Sequence, residues 1–237
     1  MTQFAVVIPV FNPTPVFPQL LFRLNKTLQP LPGKWQIVLV DDGSSQWIKP
    51  PEIQIPITIL KHAVNKGKGA ALKTAFTYLI SKSIPLQAVV ILDADLQHLP
   101  EDIPRFLRLF QKTKADIILG VRKRTVGEMP IHRIASNYLT SLIISLLTGT
   151  LVKDSQCGFR FIRWDVLKSI LPQLSENRFH LESEMLLQLG WFGYKIDHVS
   201  IPTIYNAQPS AIQNVPDTLN FVALITRMVW KRMWRNV

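Results

Sequence analysis

Only one cysteine, Cys157, occurs among the 237 residues. That excludes an intramolecular disulfide and an all-cysteine zinc site, and it shows no adaptation to an oxidising compartment. Acids are also scarce, 16 Asp and Glu against 27 Lys and Arg, for a formal charge of +11. A surplus of that size favours an anionic partner such as nucleic acid, acidic lipid or a phosphorylated substrate, without choosing among them. Long apolar runs are missing too. The longest uncharged stretch, Ile134 to Val152, carries Asn137, Ser136, Thr140, Ser141, Ser145, Thr148, Gly149 and Thr150, which makes it too polar for a transmembrane span and suits an interfacial or buried helix. The first ten residues, MTQFAVVIPV, have no positive n-region, so no signal peptide is expected and the domain is expected to face the cytoplasm. No Gly-x-Gly-x-x-Gly follows the first apolar run, which removes support for a dinucleotide cofactor. Leu72 stands where a Walker A loop needs its second glycine before Lys73-Thr74. His98, His132, His180 and His198 lack metal-ligand spacing, and no nucleic-acid-binding motif accompanies the charge, so no nucleic-acid partner is expected.

What is present is a globular composition, 47% hydrophobic and 18% charged, with enough chain for one α/β domain. Short apolar runs at Phe4 to Val10, Gln36 to Val40, Ile57 to Leu60, Ala88 to Leu92 and Ile117 to Val121 alternate with helical patterns at Pro15 to Leu28, Ala70 to Lys82 and Glu101 to Lys114. This alternation predicts βαβ units around a mainly parallel sheet flanked by helices. After Val121 it gives way to a basic loop, the uncharged helix, a short Phe159 to Ile162 strand and further helices. The expected organisation is a catalytic domain over 1–216, with a nucleotide-binding half (1–121) and an acceptor-binding half (122–216), followed by a helix over 217–237.

In open parallel sheets ligands gather beyond the carboxyl ends of the strands. Asp41-Asp42-Gly43-Ser44 follows the second run and Asp93-Ala94-Asp95 the fourth. Two carboxylates one residue apart can share a hard divalent cation that also binds phosphate oxygens; the alternative is a cap for the helix near Pro100. Asn65-Lys66-Gly67-Lys68-Gly69 precedes an Ala-rich helix, so it is either an anion-binding loop or a simple turn.

These segments, with Val7-Ile8-Pro9-Val10-Phe11-Asn12, Gly120-Val121-Arg122, Arg133 to Asn137 and Asp154-Ser155-Gln156-Cys157-Gly158-Phe159-Arg160, resemble the dolichyl-phosphate mannosyltransferase and glucosyltransferase branch of the family 2 glycosyltransferases. The motifs follow the family's order over about two-thirds of the chain. The resemblance implies an A-type glycosyltransferase fold with a Rossmann-like sheet. It implies that Pro9 and Asp42 border the nucleotide, that Asp93, Asp95 and Gln97 hold Mg²⁺ or Mn²⁺, and that Arg122 and Arg133 face phosphates. Phe11, Lys68, Ala94 and Ser210 complete the expected substrate-binding set. Phe11-Asn12-Pro13 replaces the family's usual Tyr-Asn-Glu, which removes a polar contact to the nucleotide, and Ala211 follows Ser210 where a basic residue is common.

The implied reaction is transfer of a hexose, with inversion, from a nucleotide-diphosphate sugar of the GDP-mannose or UDP-glucose type to a polyprenyl phosphate. Charge developing on the leaving diphosphate calls for a cation and arginines. A phosphate acceptor is already ionised at neutral pH and needs positive charge more than a base. Arg122-Lys123-Arg124, Arg133, Lys153, Arg160 and Arg163 are expected to supply it. Asp95, Arg122 and Arg133 are the expected catalytic groups, with Asp154 the carboxylate that takes part, unless it forms an ion pair with an arginine. Glu182 and Glu184 either meet the acceptor or answer a helix dipole, and Cys157 reads as a core residue. A glycan-hydroxyl acceptor, or a noncatalytic basic membrane protein on the same fold, are the competing readings. The C-terminal helix, with Arg227, Lys231 and Arg235 on one stripe beside Arg232, and Val222, Val229, Trp230 and Met233 on another with Trp234 at the boundary, predicts peripheral attachment to the cytoplasmic face of an anionic membrane.

Overall fold

The computed structural model describes residues 2–123, 130–204 and 214–235. Strand β1 (Gln3–Val10) leads into helix α1 (Phe17–Leu28), followed by β2 (Lys34–Asp41), β3 (Ile57–Lys61), α2 (Lys68–Ser81), β4 (Leu86–Ile91), a 3₁₀ turn (Pro100–Asp102) and α3 (Ile103–Thr113). The second half holds β5 (Ile117–Arg122), α4 (Ile131–Thr148), β6 (Arg160–Arg163), α5 (Trp164–Ile170), α6 (Leu181–Trp191), β7 (Ile196–Ile201) and α7 (Asn214–Arg235).

The strands form one sheet in the order β3-β2-β1-β4-β6-β5-β7. Every adjacent pair is parallel except those made by β6, which runs antiparallel between β4 and β5. Alternating side chains along a strand point to opposite faces, and both faces here are covered. Ala5 and Val7 of β1 join Val38 and Val40 of β2 beneath α2, with α5, α6 and part of α7 in the same layer. Phe4, Val6 and Ile8, with Ile37 and Leu39, pack against α1 and α3. Burial on both sides explains why these strands read as continuous apolar runs.

Local signals set the helix ends. Proline occupies the first turn of both α1 and α3, where its missing N–H has no helical partner to lose. Gly149, at φ 68°, ends α4 in the left-handed conformation. The uncharged helix therefore spans 131–148 instead of 134–152; it begins on Ile131-His132-Arg133, which brings a cation to its first turn. Strand β7 was not foreseen in the sequence, because Asp197, His198 and Ser200 break its short apolar pattern. The C-terminal helix starts at Asn214. Phe221, Leu224 and Met228 are buried in the core, so the helix is part of the domain as well as its terminus.

Candidate active site

The carboxyl ends of β1, β2, β4 and β5 open on one cavity of about 860 Å³. One wall includes Pro9, Phe11 and Ala94 together with the polar Asp42, Lys68, Asp93, Asp95, Gln97, His98, Arg122 and Arg133; Glu182, Arg178 and His180 also line it, and Leu139, Ile143, Phe179, Phe221 and Val222 form an apolar side. Of the residues expected at the substrate, Ser210 and Arg124 lie outside the described residues.

Asp42, the residue after β2, has its carboxylate already engaged. It accepts the backbone N–H groups of Lys66 at 2.9 Å and Gly67 at 2.7 Å, and lies 2.6 Å from His62 Nδ1. Ala70 N–H donates to the carbonyl of Asn177 at 2.9 Å. Two of the backbone donors of the 65–69 loop, those of Lys66 and Gly67, are thus taken by an internal carboxylate, and the Ala70 donor just beyond it by a carbonyl. Its glycines serve close packing: a Cβ on Gly67, at φ 97°, would lie 2.6 Å from the Asn177 carbonyl oxygen, and one on Gly69 2.8 Å from that of Arg178. From this loop Asn65, Gly67 and Lys68 line the cavity.

There the Lys68 ammonium lies 2.6 Å from Asp93 Oδ1 and 3.1 Å from Glu182 Oε1. Burial opposes its charge, but the two carboxylates outweigh burial and raise its pKa. Asp93 is held below the usual carboxylate range: burial works against its ionisation and the adjoining Lys68 prevails. Asp95 moves the other way, raised by burial and by the charge of Asp93. It accepts the Gln97 N–H at 3.0 Å across Leu96, which takes φ 60° with its side chain buried. This turn replaces the helix cap that the Asp-x-Asp alternative required. Behind Asp93, a Cβ on Gly158 would fall 2.4 Å from Oδ2, so glycine is what lets the carboxylate sit there. His98 is buried against Phe159, with Nδ1 3.6 Å from Asp93 Oδ2; burial drives its pKa to about 4, so the ring is neutral.

Across the cavity, Asp154 is fully buried and accepts Nε and Nη2 of Arg122, both at 2.9 Å, and Nδ2 of Asn137 at 2.8 Å. These bonds overcome burial and lower its pKa. Of the two roles weighed for Asp154, the geometry is that of the ion pair, and the residue stands behind Arg122 and not in the cavity wall. Two expected phosphate ligands are spent elsewhere. Arg160 is wholly buried and donates to the carbonyls of Cys157, Glu182 and Ser155; Arg163 pairs with Asp116 at 3.2 Å and covers the Phe110 ring. Both belong to β6, where alternation with the sheet decides their direction. Lys153 is exposed and does not line the cavity, and Arg124 lies outside the described residues. Glu184 accepts the N–H groups of Ser175 and Glu176 at 2.9 and 2.8 Å, so it ties down the approach to α6 and does not meet an acceptor. Cys157 is buried, its thiol pushed up to about 12 by burial.

Among the described residues no three His, Cys, Asp or Glu side chains group to hold a metal ion. Asp93 and Asp95 nevertheless fit one in the chemistry of their donors, two neighbouring carboxylates of which Asp95 is raised by burial and by the charge of Asp93, and Gln97 lines the same wall with a side-chain amide. Glu182 was the site residue hardest to foresee. Its acidic partner in sequence, Glu184, looks equivalent, and only the fold sets Glu182 against Lys68.

A parallel sheet with one antiparallel insertion, carboxylates at the β4 end and arginines opposite define the A-type architecture of sugar-nucleotide transferases. The chain belongs to glycosyl transferase family 2, whose model matches residues 5–171, and it is a glycosyltransferase. It is 29% identical over 203 residues to an uncharacterized protein of Methanocaldococcus jannaschii, covering 84% of this chain and 81% of the relative. It is 28% identical over 173 residues to the undecaprenyl-phosphate 4-deoxy-4-formamido-L-arabinose transferase of Salmonella choleraesuis, covering 70% of this chain and half of that protein. In fold it is similar to glucosyl-3-phosphoglycerate synthase from Mycobacterium tuberculosis, solved with Mn²⁺, UDP and glucosyl-3-phosphoglycerate (TM-score 0.64, 14% identity, 88% of this chain and 73% of that one).

Proposed function

We propose that the enzyme transfers a hexose from a nucleotide-diphosphate sugar to a polyprenyl phosphate, with inversion, at the cytoplasmic face of a membrane. The observation that carries this reading is the two-sided cavity. Carboxylates and arginines line one part of it, and Leu139, Ile143, Phe221 and Val222, from α4 and α7, line another. An ionic headgroup on an apolar tail matches that division better than a wholly polar glycan does. The relative named for undecaprenyl phosphate supports the acceptor class, and the neighbour solved with UDP and Mn²⁺ supports the donor class and the metal.

Pro9, Phe11 and Asp42 flank the nucleotide end. Asp93, Asp95 and Gln97 would hold Mg²⁺ or Mn²⁺, which supplies positive charge to the leaving diphosphate. Arg122, its plane fixed by Asp154, and Arg133 face the phosphates, where a pre-oriented guanidinium stabilises developing charge without reorganising. Asp154 acts as a positioning residue. No general base is required, because a phosphate monoester with a second pKa near about 6 arrives ionised.

Peripheral attachment draws on exposed apolar side chains. Ile131, Tyr138, Leu142 and Leu146 are exposed along α4, and Trp230, Met233 and Trp234 along α7. No helix among the described residues is long and apolar enough to cross a membrane. The cationic stripe is partly committed to the protein: Arg227 pairs with Glu176 and Arg232 covers Trp191 at 4.9 Å, while Lys231 remains exposed. The test is transfer of labelled hexose from UDP- and GDP-sugars, with Mg²⁺ or Mn²⁺, to undecaprenyl phosphate and to undecaprenol. Product from the alcohol in preference to the phosphate would overturn the assignment.

A further inference from the structure

The geometry points to Lys68 as a resident cation on Asp93, which keeps the divalent metal off that carboxylate until a nucleotide diphosphate arrives. This rests on the metal-dependent reading above and concerns the order in which its parts assemble. Lys68 is the first residue of α2, and no acid occupies the first turn of that helix. A cation there opposes the helix dipole, so nothing local explains its position. What holds it is the pair Asp93, at 2.6 Å, and Glu182, at 3.1 Å. The three side chains are 13%, 26% and 8% exposed, so water screens them little.

A metal ion on Asp93 would meet the Lys68 ammonium as a near neighbour of like charge. Lysine is suited to move: its charge is a compact point on a flexible stem. Glu182 provides a second seat already within reach, and the diphosphate of a bound donor would provide a third. Lys68 moving from Asp93 to either seat leaves the carboxylate to the metal, and the negative diphosphate favours both changes. Metal and nucleotide should therefore bind with positive coupling, each strengthening the other by the same factor. Lys68 is a positioning residue in this scheme.

The test is Mn²⁺ binding, followed by the electron paramagnetic resonance of the free ion, with and without UDP or GDP. In the native enzyme nucleotide should tighten Mn²⁺ binding about tenfold or more. Lys68→Met should tighten Mn²⁺ binding without nucleotide by a similar factor and shrink the coupling. The double variant Lys68→Met, Glu182→Gln removes one charge of each sign and leaves no carboxylate of Glu182 buried unpaired. It should also bind free Mn²⁺ more tightly than the native enzyme, which separates an occupied seat from a general field. Lys66→Met, at an exposed neighbour, should change nothing. Native-like Mn²⁺ affinity in both Lys68 variants, with coupling intact, would overturn the proposal and leave the metal reading standing. Absence of Mn²⁺ binding in every form, with either nucleotide, would overturn both.

Discussion

The guanidinium of Arg122 meets the carboxylate of Asp154 along its edge, Nε to Oδ2 and Nη2 to Oδ1 both at 2.9 Å, and the Arg122 backbone N–H approaches the same carboxylate at 3.2 Å. One buried acid thus fixes the end of β5 and the plane of the side chain that follows it. Breaking one partner of such a pair typically costs about 3–5 kcal/mol. Because Arg122 is 19% exposed, the lower end applies. Asp154→Asn should lower the melting temperature and turnover together. Arg122→Lys should recover little activity, since a point charge cannot copy the two-bond edge. Thermal melts beside kcat measurements check both, and an Asp154→Asn enzyme with native kcat would remove the positioning role.

Asp95→Asn should leave the fold intact, as its side chain contributes to a turn and not to the core, while turnover falls by about a hundredfold or more. Chelator should abolish native activity, and added Mn²⁺ or Mg²⁺ should restore it. Full turnover in excess chelator would refute metal dependence.

Gly158→Ala tests the seat of Asp93. The new methyl would lie 2.4 Å from Asp93 Oδ2 and 3.0 Å from Lys68 Nζ, so the carboxylate has to shift. A displacement near 1 Å at a reacting centre can cost about a hundredfold in rate. Activity should drop by that order while the melting temperature changes little.

Liposome flotation checks membrane attachment. Trimming α7 is a poor probe, because Phe221, Leu224 and Met228 belong to the core. Substitution is better: Leu142→Gln with Leu146→Gln on α4, or Trp230→Ser with Trp234→Ser on α7, should each weaken binding to anionic vesicles. Raised salt should weaken it further by screening. Undiminished flotation of both double variants would refute attachment through these faces.

His198 gives a pH dependence with a definite sign. Burial and the charge of Lys153 press its pKa down to about 4, while the unfolded value is about 6.5. Its neutral Nε2 accepts the Lys153 backbone N–H at 3.3 Å. The unfolded chain binds the extra proton first, so this contribution is complete above pH 6.5 and is lost as pH falls toward 4. Melting temperature should decline across that window in the native protein and less steeply in His198→Gln, which keeps an acceptor but does not titrate.

Much of the first half was legible because strands buried on both faces announce themselves as apolar runs, and strand-end carboxylates follow them directly. Asp93, Asp95 and Arg122 reach one cavity as those positions imply, and Arg133 joins them from the first turn of α4. The sequence was less informative where a residue's meaning depends on what lies opposite. The 65–69 loop has the composition of an anion site, but two of its amides, those of Lys66 and Gly67, are taken by Asp42, an acid that follows another strand. Arg160 and Arg163 looked like part of a basic patch until β6 turned one inward and the other toward Asp116. Glu182 and Glu184 share a helical turn, and one serves the cavity while the other ties a loop.

The antiparallel β6 has a consequence for synthesis. It lies between β4 and β5 although about forty residues of chain, including α4, separate it from the end of β5. A nascent chain that has emerged as far as Arg122 can already pair β3, β2, β1 and β4, but β5 then has no neighbour, since β6 and β7 have not yet emerged. The half carrying Asp42, Asp93 and Asp95 should therefore gain protection from hydrogen exchange on the ribosome first. Arg122 should acquire its place only after residue 163 has emerged, so assembly of the two-sided cavity is a late event in the life of the chain.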